Sequence, residues 1–183
     1  MFSRKTETEK ADLLGEGLVG GATETASMIL ENLQKHYDIR FRNGSEAPQY
    51  VIEVIVFYMH FVDRMAFAHF GPMKRDVFID RFIVAVVKEF LQEMSRELSA
   101  DALGNALRDT YNHRQHEYAT YKALMAEKDQ PLKNTLFWEF SKILFAFFDD
   151  DNPATLIHIN LLVADYTTIM LKDALKVEEV LRS

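Results

Sequence analysis

The chain contains no cysteine, so it carries no disulfide, no thiol nucleophile and no thiolate metal site. Basic charge is scarce: 21 Lys and Arg stand against 28 Asp and Glu, for a formal net charge of −7. The longest basic runs are the pairs Arg4-Lys5 and Lys74-Arg75. Neutralising phosphates takes a basic footprint, so nucleic acid is excluded as the expected partner. The longest uncharged apolar stretch, "NPATLIHINLLVA" at 152–164, falls short of the roughly 20 residues a bilayer requires. The opening "MFSRKTETEK" is too polar for a secretory signal. A soluble, cytoplasmic chain with no transmembrane span is the expectation. Strand character is also rare. "VIEVIVFY" and "FIVAVVKEF" are rich in β-branched residues, but each continues a longer run at helical spacing. No nucleophile elbow, Walker loop or kinase signature occurs.

What the sequence does have is helical periodicity. Its 183 residues are 48% hydrophobic and 27% charged, the balance of a single globular domain. Pro48, Pro72, Pro131 and Pro153 each stand at the mouth of an apolar-periodic run, where a missing N–H costs least. Ala26, Ile29, Leu30, Leu33 and Tyr37 recur at three and four residues. The run over 49–70 is apolar nearly all round, which marks a central helix. Phe78, Phe82, Ala85, Val86, Phe90 and Met94 form one stripe. Ser99 reads as an N-cap with Asp101 in the first turn. Leu103, Leu107, Tyr111, Tyr118, Tyr121 and Met125 then make a buried face. "PLKNTLFWEFSKILFAFF" follows, and Asn152 caps a last run over 153–181, about 43 Å long if unbroken. The spacing predicts an all-α, single-domain bundle of five to six long helices over 22–183, with at most a trivial strand near Tyr37 to Phe41.

Four of the seven glycines fall within "LLGEGLVGGATETA". Gly15-x-Gly17-x-x-Gly20 has the spacing of a dinucleotide loop, with Asp38 near the place of a ribose-binding acid. No strand leads into it, and Glu16 and Glu24 would repel an anion there, so a nucleotide is not expected. A glycine costs about 1 kcal/mol inside a helix. Residues 1–21 therefore read as a flexible N-terminal segment with a glycine-rich hinge. Close helix approach at Gly17-x-x-x-Gly21 is the weaker reading.

Three constellations are candidates for chemistry. His113, His116 and Glu117 share one side of a helix and suit a divalent transition metal such as Zn or Fe. Their order departs from the zincin and di-iron patterns, so a polar flank is the favoured account. Glu53, His60 and Arg64 lie within about 40° of one another on the central helix, with Asp63 at the margin. They are the expected ligand-binding residues or a paired interior, and are predicted to border the main cleft. His158, Asp165 and Lys172 form a third line. "FDDDNP" lacks the Gly and distal Glu of a calcium loop.

The 14 Phe and 8 Met read first as core and second as the lining of a cavity for a small apolar ligand. The functional expectation is a non-enzymatic interaction or ligand-binding module without a cofactor. It would bind a partner protein, a second copy of itself as a homo-oligomer, or an apolar ligand between Phe-rich helices. The alternative is a metal-binding protein or metal-dependent enzyme using His113, His116 and Glu117.

Overall fold

The computed structural model describes residues 5–94, 99–121, 123–126 and 132–183. Among these, the regular elements are all helical: α1 (Glu7–Tyr37), α2 (Ala47–Phe70), α3 (Pro72–Met94), α4 (Ala100–Tyr118), α5 (Leu136–Phe145), α6 (Pro153–Ile169) and α7 (Val177–Arg182). Extended pairing is confined to isolated bridges, Phe41 to Phe148 and Ala123 to Thr135. The strand expected near Phe41 is the first of these. The all-α bundle expected from periodicity is the observed fold.

Local signals set several boundaries. Thr6 and Glu9 close a capping box at the start of α1: the Glu9 N–H donates to Thr6 Oγ1 at 3.2 Å and the Thr6 N–H to Glu9 Oε2 at 2.7 Å. Pro48 lies in the first turn of α2, and Pro72 and Pro153 open α3 and α6. Asn152 caps α6 as expected, its Oδ1 accepting the Ala154 N–H at 3.0 Å. Ser99 holds the N-cap position of α4 without a side-chain cap bond. Pro131 lies outside the described residues.

The glycine stretch is where structure and sequence part. Glu7 to Tyr37 is one continuous helix, and the expected hinge is a packed surface within it. Helix α1 runs parallel to α3, with Lys74 on Glu7 (3.0 Å) and Arg81 forked on Asp12 (2.5 and 2.9 Å). Between and beyond these pairs the backbones close in. A Cβ built on Gly15 would stand 2.5 Å from Ala85 Cβ and 3.2 Å from the Val86 backbone nitrogen. On another side, Gly17 and Gly21 face Leu175 and Met170. The reading set second, close approach of helices, is the one the glycines serve. Residues 7–21 therefore belong to the bundle: Ala11, Leu14, Leu18 and Val19 are buried in its core.

Helix α2 runs through the middle, with Tyr50, Ile55, Val56, Phe57, Tyr58 and Val62 buried on several sides. Phe57 stacks on Phe140 at 3.8 Å between centroids and meets Phe61 and Tyr118 edge-on. The predicted face of α4 holds for Leu103, Leu107, Tyr111 and Tyr118. The helix stops at Tyr118, so Tyr121 is half-buried and Met125 is 55% exposed.

The last run is not unbroken. At Met170–Ala174 it widens into a π turn, the Leu175 N–H donating to Met170 O at 2.9 Å. Lys176 then adopts a left-handed conformation (φ 47°) before α7. By length and composition, Pro153–Arg182 is long and apolar enough to cross a membrane. In the fold its inner positions Thr155, Ile159, Leu162, Val163 and Thr167 are buried.

Candidate functional site

The polar line of α2 meets α4 and α3. Glu53, 4% exposed, receives a forked pair of hydrogen bonds from Arg114, Nε to Oε2 at 2.9 Å and Nη2 to Oε1 at 2.8 Å. Burial opposes the Arg114 charge, but the Glu53 carboxylate outweighs it and holds the guanidinium pKa above its usual range. Asp63 is forked in the same way by Arg75 at 2.5 and 2.6 Å. Both buried acids are thus paired, as their desolvation demands. Arg64, grouped with them by spacing, points to solvent.

His60 Nδ1 lies 2.8 Å from Gln115 Oε1. His60 Nε2, Gln115 Nε2 and the Tyr118 hydroxyl are buried with no hydrogen-bond partner among the described residues. His60, Asp63 and Arg64 do border a concavity of about 530 Å³ shared with Arg75 and Gln115. Glu53 lies on a different one, about 450 Å³, with Arg114, Glu117, Glu139 and Lys142. The line is therefore split, and most of it is a structural seam between helices.

Burial pushes the His60 pKa below its usual value; the Gln115 contact opposes this, Arg64 adds to it, and Asp63 pulls the other way. The unfolded chain then binds a proton at His60 more readily than the folded one. Its contribution to stability is complete above about pH 6.5, the unfolded imidazole value, and is lost as pH falls from there toward the folded pKa. Urea midpoints should drop between pH 7.5 and 5.5 more in the wild type than in His60→Gln. Equal drops would remove His60 from the account.

The proposed metal trio does not converge. His113 and His116 are exposed, and His116 Nδ1 sits 2.9 Å from its own helix at Asn112 O. Glu117, the expected third ligand, accepts from Arg114 at 2.5 Å. Among the described residues, no three His, Asp or Glu side chains gather to hold a metal ion. The third line also disperses. His158 packs half-buried with Nδ1 3.1 Å from the Tyr37 hydroxyl, Asp165 is exposed, and the π turn carries Lys172 to another site.

That site is an apolar cleft of about 620 Å³ where α2, α5, the π turn and α7 meet. Phe61, Phe137 and Val177 are buried in its floor, with Met65 and Leu171 on its walls. Its lip, Leu124 and Met125, is 40% and 55% exposed. The lip is fixed by backbone: the Leu136 and Phe137 N–H groups, free donors at the start of α5, donate to Ala123 O and Leu124 O at 3.0 Å. Lys172, Lys176, Glu178 and Glu179 stand at the rim, and Thr167, buried, and Thr168, exposed, also line the cleft. Aromatic and methionine richness was the signal for such a cleft, but periodicity alone does not separate a lining Phe from a core Phe. Comparison with protein-family models, curated proteins and solved structures finds no match for this chain.

Proposed function

We propose that this protein is a non-enzymatic helical binding module whose ligand has an apolar body and enters the cleft between α2, α5 and α7. The observation that carries this is the combination of a buried aromatic and aliphatic floor with an exposed apolar lip around about 620 Å³. That volume lies within the roughly 300–1,000 Å³ typical of small-molecule sites. Exposed leucine and methionine at a concave lip gain burial when a ligand covers them, and Met65 and Met125 supply side chains that adapt to irregular shapes. The polar seam supports the same reading from the other side. Its carboxylates are engaged by Arg75 and Arg114, the arrangement of groups that hold helices together.

Nile red, a neutral apolar dye, tests the site. It should bind one equivalent with a blue-shifted emission. Met65→Trp, which fills the cleft from α2, should weaken that binding at least tenfold while Met28→Trp on the outer side of α1 leaves it unchanged. Dye binding indifferent to Met65→Trp would place any apolar site elsewhere.

A further inference from the structure

The cleft's floor and its mouth differ in kind. Phe61, Phe137, Leu171 and Val177 offer only carbon to what enters. The mouth carries Lys172 and Lys176, four residues apart across the π turn and both exposed. Neither ammonium has a carboxylate within 4.0 Å among the described residues. Of the two rim acids, Glu178 is engaged by Arg182 at 3.0 Å, which leaves Glu179 alone against two lysines. The mouth of this apolar cleft thus offers two ammonium groups without a carboxylate within 4.0 Å among the described residues, while one of its two acids is held by an arginine.

We infer that the ligand is a monomeric single-chain amphiphile with a carboxylate head, its tail on Phe61, Phe137 and Val177 and its head at Lys172 and Lys176. This rests on the cleft being the binding site. A compact ammonium with three rotatable donors suits a head group at a solvent-exposed mouth. The buried floor draws the tail inward, where each methylene leaves water. A flat anionic membrane would have to bring its surface against Glu178 and Glu179 as well, whereas a single carboxylate is small enough to approach the lysines alone.

The test is calorimetric titration of the full chain with hexanoate, octanoate, decanoate and decanol below their aggregation limits, using wild type and Lys172→Gln/Lys176→Gln. Affinity should rise about fourfold for each added methylene. Decanoate should bind wild type about tenfold more tightly than decanol, a gap within what two exposed ion pairs supply. The gap should shrink as salt is raised and close in the double variant, with decanol affinity unchanged. Equal affinity for decanoate and decanol in wild type would overturn the head-group inference and leave the cleft standing. A gap that survives the double variant would overturn the assignment to these lysines. Nile red binding with no response to any of the four compounds would overturn the amphiphile and keep the cleft. Loss of both would sink the cleft itself. Binding of vesicles containing phosphatidylserine without binding of decanoate would replace the monomer with a membrane surface.

Discussion

Gly15→Ala is expected to destabilise the protein by about 1–2 kcal/mol, although alanine is the better helix former. The new Cβ would meet Ala85 Cβ at 2.5 Å and the backbone of Val86 at 3.2 Å. Overpacking of that kind costs about 1–3 kcal/mol, against a propensity gain of up to about 1 kcal/mol. Gly20→Ala is the control, because its Cβ would find only the Glu93 carboxylate at 3.6 Å. It should stabilise by up to about 1 kcal/mol. Gly21→Ala falls between, since the atoms it meets are the flexible end of Met170. Adding Ala85→Gly to Gly15→Ala should restore part of the loss, a coupling that a double-mutant cycle isolates. If urea midpoints for the Gly15 and Gly20 variants rise together, the segment behaves as the independent joint its composition suggests.

A larger effect is expected at the α2–α4 seam. Arg114→Met leaves Glu53 buried with no other cation bonded to it among the described residues, and should cost about 3–5 kcal/mol. Glu53→Leu should cost clearly less, because Arg114 keeps Glu117 at 2.5 Å and is the more exposed partner, 17% against 6% at the side chain. The double variant Glu53→Leu/Arg114→Met should recover most of the stability lost by Arg114→Met alone, since apolar replacement of a whole buried pair is often neutral. Thermal unfolding of the three proteins checks the order. Equal losses in the two single variants would show that Glu117 does not hold Arg114 in the way the geometry implies.

Most of the bundle was legible because its causes are local. Apolar spacing on α2 and α3, proline at helix starts and Asn152 before Pro153 all act within a few residues. The glycines of α1 depart from the local pattern because their reason lies about 70 residues away at Ala85, and about 150 away at Met170 and Leu175. Propensity priced them as helix breakers, while tertiary packing needed the missing side chains. The polar line was legible only in part: its burial and pairing follow from the apolar helix around it, but its partners do not. Spacing grouped Glu53 and His60 with Arg64, the nearest cation on their own helix. The arginines that engage the acids come from α3 and α4, and no periodicity within α2 points to them. Arg114 lies between His113 and His116, whose metal-like spacing belongs to the exposed side of the same turn. Nothing in "IMLKDALK" announces a π turn, so the shift that brings Lys172 and Lys176 together at one mouth was invisible from a sevenfold count.

Helix α1 is flanked by partners from both directions of the chain: α3 alongside it in parallel, and the 158–181 segment running back along it. His158 meets Tyr37, Met170 and Leu175 cover Gly21 and Gly17, and the buried Lys10 ammonium donates to Leu181 O at 2.7 Å across 171 residues of sequence. An all-helical chain is ordinarily a fast folder because its contacts are near in sequence, and closing distant loops first is what slows a chain. Here the Gly15 side of the first helix can close on Ala85 of α3 once about half of the chain exists, whereas its Gly17 and Gly21 side waits for Met170 and Leu175 near the end. The last residues of the chain therefore complete the enclosure of the first helix, and the Lys10–Leu181 hydrogen bond ties the two ends of the described chain into one folding event.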